Sequence, residues 1–351
     1  MNPASVKTML GDRWRSARAN IRGSAIVLTY HRVADLSSDP QLLAVGVRHF
    51  EEQMRLLSKS YHTMTAGELF ELMAGRRRIP DRTVVITFDD GYADTLQNAA
   101  PVLAEHGLSA TVFVSSDYVG SSQEFWWDEL ERVVLSAPSL PPHVQVAAGG
   151  ATFDSGSGAG DGDRDRPSRE AGPWDVTMPP VTERQRVYVE LRDLILRLST
   201  ADRDSALESL RAQFDAEQRV RPTHRPLSSS ELRDLCRDGR VEIGAHTRSH
   251  QVLSARSETE QREEIVGSKR ALEQACGHEV RSFSYPYGGS DTFTERTERI
   301  VSDAGFLGAC TTEFGIVVPW MDRFSVPRCP TENIGGAEFV QRVDRWFRMA
   351  R

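Results

Sequence analysis

Two carboxylates stand side by side in "VVITFDDGY" (84–92), where a β-branched run ends and glycine follows at once. Adjacent like charges repel, and neither is cheaply buried without a partner. A compensating cation is therefore needed near Asp89 and Asp90. "HTRSH" (246–250) offers two imidazoles four residues apart, a spacing that one helical turn would bring to one side. Neutral imidazole nitrogens suit Zn²⁺ and similar divalent ions, and a carboxylate adds the negative charge such a site needs. On these residue types, Asp90 ligates one divalent ion with His246 and His250, and positions remain open for water and substrate. Asp89 then stays free to take a proton from that water. An acidic turn closing a strand explains the glycine of "DDG" but not the two histidines.

The elements that must position these groups follow a regular alternation. Seven β-rich runs stand out, at 25–30, 83–88, 110–114, 241–245, 281–285, 306–310 and 324–327. Helical patterns lie between them, around 47–59, 66–75, 92–105, 228–237, 257–276 and 294–304, several opened by capping signals such as "SSSELRDL" and "SETEQREEI". Such alternation predicts a parallel sheet with crossover helices. His31, Asp89, Asp90, His246, His250, Tyr287 and Arg328 all fall at or just beyond carboxyl ends of these runs. In a barrel of parallel strands those ends open on one face, where active sites are built. The alternation breaks over about 115–226, which reads as an insertion. Its stretch 147–172 is rich in Gly, Ser and Asp and predicts a flexible tip, and a helical pattern follows it. The chain thus divides into an N-terminal extension (1–24), a main domain (25–335) and a C-terminal helix (336–351).

Composition narrows the function. A formal charge of −7 over 351 residues excludes a typical nucleic-acid binder. The four cysteines, Cys236, Cys276, Cys310 and Cys329, form no C-x-x-C pair and read as free thiols in a reducing compartment. No signal-peptide core or membrane-spanning run is visible, so a cytoplasmic location is expected. Residues 5–22 place Val6, Leu10, Trp14, Ala17 and Ile21 at helical spacing among basic residues. This predicts a helix packed on the domain, with peripheral contact to an anionic membrane surface as the alternative.

The motifs resemble those of the polysaccharide deacetylases of carbohydrate esterase family 4. "TFDDGY" is similar to the family's first motif, which implies a catalytic base at Asp89 and a metal ligand at Asp90. "HTRSH" is similar to the second, which implies that both histidines bind metal. "FSYPYGG" (283–289) resembles the third, in which the N–H of Tyr287 would help form the oxyanion hole. The resemblance spans roughly 25–120 and 225–330. It implies an α/β fold, a distorted (β/α)7 TIM-like barrel with a partly disordered helical insertion. It also implies one divalent ion, Zn²⁺ first and Co²⁺ or Ni²⁺ next, and an N-acetylated carbohydrate substrate. Two departures stand out. The third motif's arginine, which orients the base in many members, is replaced by Ser284, and Arg328 is the candidate to take its place. The late histidine acid is missing, whereas His31 in "LTYHRV" resembles that of a circularly permuted branch acting on poly-N-acetylglucosamine.

These residue types fit amide hydrolysis, which needs a nucleophilic water, an oxyanion site and an acid for the amine leaving group. Trp126 and Trp127 in "EFWWDEL", with Pro286 and Tyr287, are the expected substrate contacts, although a tryptophan pair serves equally well as helix core. A phosphatase of the haloacid dehalogenase type would need a second Asp two positions beyond its nucleophile, and Gly91 and Tyr92 stand there instead. The alternative to an enzyme is a catalytically silent sugar-binding or scaffolding protein on the same fold. Retention of a paired base and ligand set argues against it.

Overall fold

The computed structural model describes residues 23–156 and 174–349. The helix expected at 5–22 and most of the expected flexible tip lie outside the described residues. Seven parallel strands form the barrel: β1 (Ala25–Tyr30), β2 (Thr83–Phe88), β3 (Ala110–Val114), β4 (Val241–Ala245), β5 (Ser282–Ser284), β6 (Gly308–Cys310) and β7 (Cys329–Pro330). Their order is β6-β5-β4-β3-β2-β1-β7, and a short extra strand, His62–Met64, pairs with the start of β2. A parallel bridge from Cys310 to Val326 connects β6 to the segment leading into β7, so the ring closes. β1, β2 and β3 are buried along their whole length, because helices cover one side and the barrel core the other.

The first six predicted strands are found with small shifts at their ends. The seventh differs. The run 324–327 makes only the bridge at Val326, and the pairing with β1 comes from Cys329 and Pro330. Pro327 has no N–H to give a ladder, which delays regular pairing until the chain has passed it.

The helices around the barrel are α1 (Val47–Ser60), α2 (Ala66–Ala74), α3 (Ala100–His106), α7 (Ser229–Arg237), α8 (Glu258–Cys276), α9 (Glu295–Asp303) and α10 (Gly336–Met349), and α4 to α6 belong to the insertion. Reciprocal capping by Thr65 with Glu68, Ser228 with Glu231 and Ser257 with Glu260 starts α2, α7 and α8. The pattern at 92–105 becomes a π-type turn, Thr95–Ala99, followed by α3. Pro101 cannot donate into a continuous i to i−4 ladder, so the helix restarts there.

The insertion comprises α4 (Trp126–Leu130), α5 (Glu183–Leu196), α6 (Thr200–Gln213) and an antiparallel hairpin, Gln145–Ala148 with Ala151–Asp154. It has a core of its own, including Leu130, Val134, Tyr188, Leu191 and Leu210. The hairpin corrects the expected tip at 147–172, whose first residues are ordered strand. Gly149 and Gly150, at φ 56° and 78°, make the two-residue turn that only glycine adopts readily, while Val146 and Phe153 are buried beneath it.

The cysteine reading is also corrected. Cys236 at the end of α7 and Cys276 at the end of α8 form a disulfide, 40 residues apart in sequence and brought to a Cα separation of 5.3 Å by the fold. Cys310 and Cys329 are free and buried. No helix among the described residues is long and apolar enough to cross a membrane.

Candidate active site

The register of the strands brings the reactive residues together. Tyr30 pairs with Phe88, and the Asp89 N–H donates to the Tyr30 carbonyl at 3.0 Å, so His31 and Asp89 leave β1 and β2 at one level. Val114 pairs with Ala245, and the His246 N–H donates to the Val114 carbonyl. Phe283 pairs with Ala245, which sets the third motif beside the second. His31, Asp89, Asp90, His246, His250 and Tyr287 consequently line one cavity of about 360 Å³ at the carboxyl ends of the strands. Leu43, Trp126, Trp127 and Leu196 supply apolar wall, and Arg192 and Arg197 line it from the insertion.

The motifs leave their strands through strained backbone. Among the described residues eight that are not glycine have positive φ, and Asp90, Thr247, His250 and Tyr287 are four of them. Strain of this kind persists where the surroundings fix it, and such places cluster at functional sites. It also corrects one expectation, for His246 and His250 meet through a loop with left-handed turns at Thr247 and His250, not through a helical turn.

Asp90, His246 and His250 form a compact donor set. The two histidine Nε2 atoms lie 3.6 and 3.3 Å from the same Asp90 Oδ1. All three residues are buried, and their ligand atoms fall within 4.8 Å of one another. The His246 Nδ1 lies 2.7 Å from the Ser284 carbonyl, which fixes that nitrogen as the donor and leaves the Nε2 lone pair facing Asp90. Burial pushes the His246 imidazole down to about 4, so it is neutral at pH 7, as a ligand must be. The residues present thus fit a divalent ion. His250 lacks the matching support, since its buried Nδ1 has no partner.

Asp89 is held differently. Arg328 donates to it through both terminal nitrogens, at 2.8 and 2.6 Å, and through Nε to the Thr311 carbonyl at 2.7 Å. Burial alone would raise the Asp89 carboxyl. Arg328, with His246 behind it, outweighs that effect and holds it well below the usual carboxylate range. Asp90 is likewise lowered, against burial, chiefly by His250. The Ser284 hydroxyl approaches Asp89 only at 3.5 Å, so the fork on the base comes from Arg328 across the barrel.

The remaining predicted contacts divide. The Tyr287 N–H donates to no described residue, while its carbonyl accepts from Thr312 at 2.6 Å. Trp126 and Trp127 are 3% and 5% exposed. Their ring N–H groups donate to the Tyr287 and Tyr92 hydroxyls, and Trp127 meets the His250 ring edge-on at 4.8 Å. They pack behind the histidine and tyrosine and also line the cavity. Pro286 is buried in the turn, its carbonyl accepting from Gly288 at 2.7 Å, and it does not line the cavity. Two supporting residues escaped the sequence reading, Glu264 and Arg203, both of which hold the histidine loop. Nothing in the sequence pattern marks them, because they meet the loop from separate helices.

Residues 76–138 and 212–309 match the sequence profile of the family described as polysaccharide deacetylase. Over these two stretches the chain is similar to the polysaccharide deacetylase family. It is 30% identical over 118 residues to the deacetylase-family protein YxkH of Bacillus subtilis, and 28% identical over 130 residues to the poly-beta-1,6-N-acetyl-D-glucosamine N-deacetylase of Escherichia coli. Those stretches are 33% and 37% of this chain but only 41% and 16% of the relatives, so the match spans less than half the length of either. Two solved structures share the fold. The Streptococcus pyogenes deacetylase PplD has a TM-score of 0.56 at 14% identity, covering 91% of this chain and 97% of PplD. IcaB from Ammonifex degensii has 0.55 at 18%, covering 93% and 97%.

Proposed function

We propose that this chain hydrolyses the N-acetyl group of an N-acetylated amino sugar, in a glycan or glycan precursor, and releases acetate. The observation that carries it is the convergence of both histidine Nε2 atoms on one Asp90 oxygen beside an ionised Asp89 that Arg328 holds apart. Asp90, His246 and His250 would hold the divalent ion, Zn²⁺ first by donor type. Bound there, it would supply Lewis acidity toward the acetyl oxygen and a water acidified toward neutrality.

The chain's own residues do the rest. Asp89, kept ionised and aimed by the Arg328 fork, accepts a proton from the attacking water. The unpaired Tyr287 N–H is available to the oxyanion. His31, at the end of β1, donates a proton to the departing amine. Leu43, Trp126 and Trp127 keep water from the amide. Poly-N-acetylglucosamine is the first acceptor to try, since the Escherichia coli relative is named for it. The Cys236–Cys276 disulfide suits oxidising surroundings and speaks against the reducing compartment expected from the sequence.

The test is acetate release from N-acetylglucosamine oligomers and from lipid-linked or nucleotide-linked N-acetyl sugars, with metal analysis of the same protein. Turnover that chelation abolishes and Zn²⁺ returns is expected. Saccharide binding without acetate release under Zn²⁺, Co²⁺ and Ni²⁺ alike would make the chain a silent sugar-binding protein instead.

A further inference from the structure

Arg203 lies on α6, in the insertion, far in sequence from every motif, and is 1% exposed. No carboxylate lies within ion-pair distance of it among the described residues, and its Nε has no partner. A cation buried this way is costly unless its remaining donors are well used. One terminal nitrogen donates to the Ser249 carbonyl at 3.2 Å and the other to the His250 carbonyl at 3.5 Å. The guanidinium carbon also lies 5.4 Å from the Trp126 ring centre. Among the described residues of the insertion Arg203 is the most deeply buried arginine, and both of its terminal nitrogens go to the backbone of the histidine motif.

That backbone needs holding. Thr247 and His250 both have positive φ, at 62° and 54°. The N–H side of the loop is secured by Glu264 on α8, which accepts the Arg248 and Ser249 N–H groups at 2.9 Å each and the Ser249 hydroxyl at 2.7 Å. The Thr247 hydroxyl accepts the His250 N–H at 3.1 Å. On the carbonyl side the Ser115 hydroxyl and the Ser116 and Asp117 N–H groups donate to the His246, Thr247 and Arg248 carbonyls at 3.1, 3.1 and 2.9 Å. This leaves the Ser249 and His250 carbonyls to Arg203, helped by the Tyr287 hydroxyl at 3.4 Å from the His250 carbonyl. His246 has its ring anchored through Nδ1, whereas His250 has no such bond, so the place of its Nε2 depends on where its backbone is held.

We infer that Arg203 is a positioning residue for His250, which makes α6 of the insertion part of the metal site and not merely a wall of the cavity. The inference rests on the metal-dependent reading above, but its test separates the two. Metal-free Arg203→Met and Arg203→Lys proteins are compared with wild type and with Leu210→Ala, which opens the insertion core on the same helix without touching the loop. Hydrogen exchange of residues 246–252 is read by mass spectrometry, and Zn²⁺ affinity by competition with a chromophoric chelator.

In Arg203→Met the 246–252 segment exchanges roughly tenfold faster or more, and the Zn²⁺ dissociation constant rises about 10- to 100-fold, as for other partners that orient a ligand. Arg203→Lys, which keeps the charge and one donor, falls between, and it decides the matter if the Met variant does not fold. Leu210→Ala lowers the unfolding temperature and changes neither reading. Wild-type exchange and affinity in the Arg203 variants, or equal changes in Leu210→Ala, would overturn the inference. A wild-type protein that binds no Zn²⁺ would sink the metal reading instead, while exchange of the metal-free loop still reports whether Arg203 holds it.

Discussion

At the scale of single residues, the pair Asp89 and Arg328 separates holding a base from holding a metal. Asp89 has no oxygen committed to the histidines at close range, lying 3.9 Å from the His246 Nε2, and it spends both oxygens on Arg328. Asp89→Asn should therefore retain most of its metal and lose most turnover, whereas Asp90→Asn should lose both. Equal metal loss in the two variants would show the roles to be shared. Arg328→Lys keeps a charge but not the fork, so a fall in kcat of about 10- to 100-fold with unchanged metal content is expected. Arg328→Ala leaves a buried carboxylate alone and should cost about 3–5 kcal/mol of stability, measurable by urea unfolding. His31→Ala should keep metal and fold while cutting turnover on N-acetyl sugars by about 10²- to 10⁴-fold, with a smaller loss on an activated ester that needs no acid. Normal amide turnover by that variant would remove His31 from the mechanism. The Asp pair and the histidine pair were legible because strand ends and residue types mark them. Arg328 was legible only as a substitute for a missing arginine, since its 239-residue separation from Asp89 is bridged by barrel closure alone.

At the scale of elements, local rules read well where one element decides its own conformation. The long strands and the capping boxes of α2, α7 and α8 belong to this class. Reading failed where a neighbour decides. Cys329 and Pro330 are a strand only because β1 is there to pair with them, and the hairpin at 145–154 was obscured by its glycine-rich sequel. The Cys236–Cys276 link is the sharpest case, because it depends on α7 and α8 ending side by side. It fixes an expected outcome. Denatured protein kept free of reductant should expose two reactive thiols, Cys310 and Cys329, and four after reduction. Closing a loop of 40 residues is worth about 4 kcal/mol on the chain-entropy account, so Cys276→Ser should unfold at lower urea. Four thiols before reduction would return all the cysteines to the free state.

At the scale of the whole molecule, barrel and insertion meet around buried charge, and that junction should show in the pH dependence of stability. His224, at the end of the insertion, is buried, with Arg32 from the barrel side and Arg221 from its own segment as charged neighbours. Burial first, then those two cations, push its imidazole down to about 3 from the ordinary 6.5. The unfolded chain then binds a proton below pH 6.5 that the folded chain refuses. Stability from this group is fully present above 6.5 and is lost steadily as pH falls toward 3. In metal-free protein His246, at about 4, acts in the same direction over the upper part of this range. Asp89 and Asp90, both lowered, add their loss only below about pH 4. Comparing wild type with His224→Gln isolates the one contribution, because the other groups are common to both. Urea midpoints measured from pH 7.5 to 4 should fall more steeply for wild type than for the variant, with the curves converging as pH drops. Parallel curves would mean that His224 titrates normally and that the junction between insertion and barrel is open to water.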